Sequence, residues 1–381
     1  MYRQPKAAVW GINMERNLLT ETSMRHWDFV IQENLTAKEA VGFMKSGMKL
    51  RTFKDNLREF YSGDDLEKCL SEGLCRYMGK DGQSVRRKVY NWMHNRNLPS
   101  DREELFCICF VLGLDETASD FLLKRLDGQG IHYRNIKELV YAYCLKNNIG
   151  YEYARELAEV ILQPGGRWCS GIASANEGNG QYGFWTSEVK EQFQILRSHE
   201  ELFQFIIDRK GGLGKLHNTA YHYFDMMLKL LTEESGKMVC SLEDVTDTYL
   251  RLGMPVDKCT SSYNYIQKLV KKHWPGSRNI KAMKARTSEV TRKTLLLLYI
   301  ATGGVYHGFY EEVDEEDITA EEFLEFHCRN MNRMLNDCGM GRIDPRNAFD
   351  FLVLYSIRPE KDLFMSERIK EIVDELYHDV L

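Results

Sequence analysis

Apolar residues along the chain recur at helical rather than strand spacing. Phe203, Ile206 and Ile207 show the i, i+3, i+4 rhythm, as do Tyr223, Met226, Met227 and Leu230. From Ser84 onward, Val85, Val89, Trp92 and Met93 share one face by the same rule, which turns Arg86, Arg87, Tyr90, Asn91 and His94 away from it. Alternating apolar and polar runs bounded by turn residues are scarce, and the chain holds only seven prolines. The pattern predicts an all-α fold. Its longest apolar run, Leu295 to Ala301, is far shorter than the ~18 residues that a membrane helix needs, so no membrane partner is expected.

Three segments recur in the same order. LTAKEAVGFMKSGMKL from Leu35 aligns with SLEDVTDTYLRLGMPV from Ser241, sharing Gly-Met. VYNWMHNRNLPSDREELFCICFVLG from Val89 aligns without gaps on NIKAMKARTSEVTRKTLLLLYIATG from Asn279, matching a Met, two Arg, a Leu and the final Gly. IHYRNIKELVYAYCLK from Ile131 aligns on IDPRNAFDFLVLYSIR from Ile343, matching Ile, Arg-Asn and Tyr. Arg-Asn after a turn and Gly after a long apolar helix are cap and turn features, which amphipathic helices do not share merely by being amphipathic. The expectation is two diverged copies of one multi-helix unit, residues 35–162 and 241–381, joined by a helical connector over 186–240. An N-terminal segment (1–34), a Gly-rich loop (163–185) and an acidic insertion in the second copy (305–325) complete the division.

Composition narrows the function classes. With 381 residues, 43% hydrophobic, 28% charged and 12% aromatic, the chain suits packed domains rather than disorder. A net charge of −5 excludes a protein that coats nucleic acid through bulk positive charge, so any such contact must be a local patch. The ten cysteines are scattered, and the closest pair, Cys107 and Cys109, lies inside LFCICFVLG, where cysteine behaves as a small hydrophobe. No CxxC or paired Cys/His spacing appears, so no metal is expected. Free thiols in this number fit a reducing cytoplasm, and the opening MYRQPKAAVWGINMERN has no apolar core of an export signal.

SVRRKVYNWMHNRNLPSDREELFCICFVLGLDE resembles the second half of the helix-turn-helix domain of the Cro/C1-type (XRE-like) repressor family. The matching residues are Trp92, then Asn95-Arg96-Asn97-Leu98-Pro99-Ser100, then the buried helix from Leu105 to Gly113. The resemblance covers about 35 residues, and the preceding stretch, DDLEKCLSEGLCRYMGKDGQ, is longer than the family's short helix at that place. It implies a recognition helix over the Ser84 to Arg96 region and DNA as its partner. The residues agree by themselves: guanidinium groups of Arg86, Arg87 and Arg96 beside Tyr90, Asn91 and His94 suit phosphate oxygens and base edges.

A second basic stretch runs from Lys268 to Lys293. It holds Lys268, Lys271, Lys272, Arg278, Lys281, Lys284, Arg286, Arg292 and Lys293 against the single acid Glu289, with Tyr263, Tyr265 and Trp274 in or beside it. Cations interleaved with aromatics are what a phosphate backbone with stackable bases requires. The insertion EEVDEEDITAEEFLE nearly matches the run in acids and is a candidate shield for it.

Enzyme signatures are missing. GGLGKL at Gly211 lacks the spacing of a phosphate loop, and His199-Glu200-Glu201 lacks the second histidine of a metalloprotease helix. The reading is a non-enzymatic regulator, without a cofactor, that binds nucleic acid, DNA rather than RNA. The rival is a helical module that binds a protein partner. The two differ in an observable way. DNA binding needs Arg86, Arg87, Lys281 and Lys284 exposed and unpaired, whereas the rival has them bridged to acids or has an apolar patch exposed between the units.

Overall fold

The computed structural model describes residues 19–79, 82–99, 101–163, 186–209, 213–214, 216–234, 237–255, 263–304, 319–358 and 363–379. Among them the chain is helical, apart from a two-residue antiparallel ladder, Glu233–Glu234 with Lys237–Met238. No helix among these residues is long and apolar enough to cross a membrane. The segments 164–185 and 305–318, which hold most of the Gly-rich loop and of the acidic insertion, lie outside the described residues, as do most of the N-terminal segment, Ser100, and Gly211, Gly212 and Lys215 of GGLGKL.

In chain order the first helices are α1 (Glu21–Val30), α2 (Ala37–Ser46), α3 (Phe53–Arg58), α4 (Leu66–Met78), α5 (Gly82–Met93) and α6 (Arg102–Val111). Then come α7 (Glu116–Asp127), α8 (Ile136–Lys146), α9 (Tyr151–Leu162), α10 (Thr186–Gln194), α11 (His199–Asp208) and α12 (Asn218–Thr232). The last are α13 (Leu242–Val245), which continues into a π turn (Thr246–Leu250), α14 (Tyr265–Lys271), α15 (Ser277–Lys284), α16 (Arg292–Ala301), α17 (Ala320–Asp337), α18 (Ala348–Ser356) and α19 (Met365–Tyr377).

These helices fall into two compact units, and the division is not linear in sequence. One unit comprises residues 51–221 and 335–341, the other 1–50, 222–334 and 342–381. Residues 35–50, grouped by sequence with the first copy, pack in the second of these: α2 lies on α19, and Phe29, Phe43 and Phe351 stack. His26 ties the segment down, one ring nitrogen 3.1 Å from the Pro345 carbonyl and the other accepting from the Lys49 amide. At the other boundary, α10 and α11 serve as core rather than connector, since Val189, Phe193, Leu202, Phe205 and Ile206 join the apolar cluster built on α4 to α9.

In the unit around residues 51–221, α6 is buried over Glu104 to Phe110, and α4, α7 and α8 pack around it and its neighbours. A helix apolar on all sides is stable only when it is enclosed. It stops at Gly113, whose φ of 62° favours a residue without a side chain, with the Leu114 amide bonding back to Cys109. In the other unit, the buried helix α16 stops at Gly303 with φ 63°, and the Gly304 amide bonds back to Tyr299.

The Arg-Asn turns also take one form. Asn135 caps α8, receiving the amides of Lys137 and Glu138; Asn347 caps α18, receiving those of Phe349 and Asp350. Arg102, at the start of α6, grips Glu138 through Nε (3.1 Å) and Nη2 (2.9 Å) and also reaches the Gly130 carbonyl. Arg292, at the start of α16, grips Asp350 at 2.6 and 2.8 Å and reaches the Arg342 carbonyl. Each acid also accepts the amide six residues before it, from His132 and from Asp344.

Candidate nucleic-acid interface

Gly79, in the left-handed region at φ 58°, ends α4, and α5 begins three residues later at Gly82. Val85, Val89, Trp92 and Met93 form the buried face of α5. Trp92 is 2% exposed and meets Phe53 edge-on at 5.8 Å, which makes it a core residue and not a stacking platform.

The predicted contact residues on α5 divide into two stripes. Arg86, Tyr90 and His94 follow one another at i, i+4, i+8 and are exposed. After the helix the chain turns through Asn95 at φ 56°, and the amide of Arg96 bonds the Asn91 carbonyl at 2.8 Å. That turn returns Arg96 toward the helix. Its guanidinium lies 5.1 Å over the Tyr90 ring, and His94 stacks on the same ring at 4.0 Å. Arg87 and Asn91 form the other stripe and line a groove between α4 and α5.

From Gly82 to Pro99 the sequence has Arg86, Arg87, Lys88 and Arg96 and neither Asp nor Glu. Lys88 is engaged with the buried carboxylate of Glu104. Among the described residues, Arg86, Arg87 and Arg96 form no ion pair.

The stretch from Lys268 to Lys293 is arranged differently. Lys281 pairs with Glu243 at 2.5 Å, while Lys284 and Arg286 both pair with Asp225, at 3.5 and 3.2 Å. The Lys271 amine bonds the Tyr263 hydroxyl at 2.8 Å. Lys293 points inward and donates to the carbonyls of Leu269, Val270 and Lys272, the C-terminal end of α14. Burial there pushes its ammonium down to about 7. Trp274 donates to the Leu250 carbonyl and packs on Phe349, so it too is structural. Lys268 and Lys272 are half-buried, and Arg278 is the exposed cation near the start of α15.

Of the four residues on which the two functional readings differ, Arg86 and Arg87 are therefore exposed without an ion pair among the described residues, and Lys281 and Lys284 are bridged to acids. Sequence reasoning counted acids only within the run, whereas Asp225 and Glu243 arrive from α12 and α13. Two histidines also meet that no sequence spacing pairs. His132 and His217 stack in the interior of the same unit, with ring centres 3.5 Å apart, and burial holds His132 well below its ordinary value. No local pattern joins residues so far apart in sequence.

No family model, no curated protein and no solved structure matches this chain.

Proposed function

We propose that the protein is a non-enzymatic, nucleic-acid-binding regulator that contacts duplex DNA through the exposed stripe of α5. One observation carries the reading: Arg86, Tyr90 and His94 share one exposed stripe, Arg96 and His94 lie against the Tyr90 ring, and neither arginine forms an ion pair among the described residues. Guanidinium groups suit phosphate oxygens or the guanine edge, and a half-exposed tyrosine adds a hydrogen-bonding hydroxyl. The three-residue connection from α4 to α5, opening on left-handed Gly79, supports a helix-turn-helix arrangement with α5 as the recognition helix.

The same proposal includes a duplicated helical unit. Its support is that the Gly113 and Gly303 caps, the Asn135 and Asn347 caps, and the two Arg–acid grips fall at matched positions of the recurring segments. In the second copy the position of α5 is taken by α15, whose Lys281 and Lys284 are paired. DNA contact is accordingly assigned to the first copy, with Arg278, Lys268, Lys271, Lys272 and the paired cations of the second as auxiliary contacts at most.

A second reading, a helical module for a protein partner, draws on those same acid-bridged cations. Anisotropy titration of the purified chain on mixed-sequence duplex and single-stranded probes over a range of salt separates the two. DNA binding through the stripe gives affinity that falls with log[salt], with a slope of about one unit per phosphate contact, and favours duplex. Absence of salt-sensitive binding up to ~100 μM protein, where non-specific duplex binding normally appears, favours the partner-binding module.

A further inference from the structure

The groove between α4 and α5 has a volume of about 290 Å³. Its base is apolar, formed by the buried Leu74, Val85 and Trp92 and the half-buried Met78. Its rim is polar and carries Arg87 and Asn91. Apolar walls with a few placed polar groups are the usual composition of a small-molecule site, and this volume stands at the small end of such sites.

The charges on the rim decide what it takes. Lys88 also borders the groove, but its ammonium is committed to Glu104, whose side chain is only 2% exposed and needs that cation. Among the described residues, Arg87 is exposed without an ion pair and no acid lines the groove. The groove thus offers an arginine without an ion pair among the described residues and a neutral amide beside an apolar lining.

We propose that this groove is a binding site for a small organic carboxylate with a flat apolar body. The carboxylate pairs with the Arg87 guanidinium, whose fork matches two oxygens, and the body lies along the apolar lining, chiefly against the half-buried Met78. Asn91 offers an amide to the same oxygens. A carboxylate gains a charge-assisted pair with this guanidinium that a neutral ring of the same shape does not. The site goes beyond the nucleic-acid reading and does not depend on it, because Arg87 and Asn91 face the groove whether or not Arg86 and Tyr90 meet DNA.

The test is a ¹⁹F NMR titration of the purified full chain, without nucleic acid, using 4-fluorobenzoate and its neutral counterpart 4-fluorobenzamide as probes. The benzoate is expected to bind with a Kd around the millimolar range, reasonable for a ligand of about ten non-hydrogen atoms, and the benzamide at least roughly tenfold more weakly. Arg87→Gln should weaken the benzoate by roughly tenfold or more, and Arg87→Lys should restore part of that loss. Ser84→Trp, a substitution at an exposed rim position, should block both probes, whereas Arg76→Gln, on exposed α4 surface outside the lining, should leave both unchanged. Equal affinity for the two probes, undiminished benzoate binding in Arg87→Gln with circular dichroism intact, or no binding at ~50 mM probe would each overturn the proposal. Since DNA is absent from the titration, its failure leaves the reading of the outer stripe untouched.

Discussion

The segment around α5 and the stretch from Lys268 to Lys293 look alike in sequence, each rich in Lys and Arg with an aromatic residue at hand, yet their charges do different work. Around α5, the sequence from Gly82 to Pro99 holds no acid, and among the described residues Arg86, Arg87 and Arg96 form no ion pair. In the longer stretch, Lys281, Lys284 and Arg286 meet acids from α12 and α13, Arg292 locks Asp350, and Lys293 closes the end of α14. A count of charges along the chain cannot separate these cases. What separates them is whether the tertiary fold brings an acid or a helix end to the cation.

The comparison breaks first at Arg292. Arg292→Ala leaves Asp350, 1% exposed, without its cation, and should cost about 3–5 kcal/mol in urea unfolding. The matched Arg102→Ala should cost less, because Arg102 and Glu138 are 26% and 13% exposed and water can reach what is left. Equal losses would mean that burial does not distinguish the two grips.

Next comes Trp92, on which every statement about the outward stripe depends. Trp92→Ala should destabilise by about 3–5 kcal/mol. A loss under about 1 kcal/mol, with the helical spectrum retained, would place the wrong face of α5 inside.

Lys293 sharpens the contrast through pH. Its folded value of about 7 lies below the ordinary 10.5, so between these pH values the unfolded chain binds more protons than the folded one. Stability should therefore rise with pH across that window, by up to about 1.4 kcal/mol per pH unit, and the burial penalty should be fully present below pH 7. Denaturation midpoints of the wild type and Lys293→Met from pH 6 to 10 check this. The extra slope should vanish in the variant.

The smallest effect is expected at the exposed pairs. Lys281→Ala or Lys284→Ala should change stability by less than about 1 kcal/mol, since both partners are solvated. A larger loss would make these cations structural in the same sense as Arg292.

Much of the fold was legible along the chain because helices announce themselves locally. The buried face of α5 followed from the spacing of Val85, Val89, Trp92 and Met93, and the enclosed α6 from an apolar run without a polar stripe. Asn135, Asn347, Gly113 and Gly303 stood out because caps and left-handed turns need particular residues. The matched Arg102 and Arg292 were visible as well. Their partners, Glu138 and Asp350, stand three residues after each capping Asn, at the matched position of the two segments. Illegible were the relations that depend on distant packing: α2 docking on α19, α10 and α11 completing a core, and Asp225 and Glu243 reaching the basic stretch. The groove was invisible for the same reason, as it exists only once α4 lies against α5.

The central claim is that uncompensated cations on α5, rather than the larger number in the second stretch, carry nucleic-acid binding. Its most direct test compares two double charge reversals, Arg86→Glu with Arg96→Glu against Lys281→Glu with Lys284→Glu, by anisotropy on one duplex probe at ~100 mM salt. The first pair should weaken binding by roughly tenfold or more and flatten the salt dependence by about two units of slope, while the second should change affinity by less than about threefold. A larger loss from the second pair, or none from the first with the fold intact, would contradict the account.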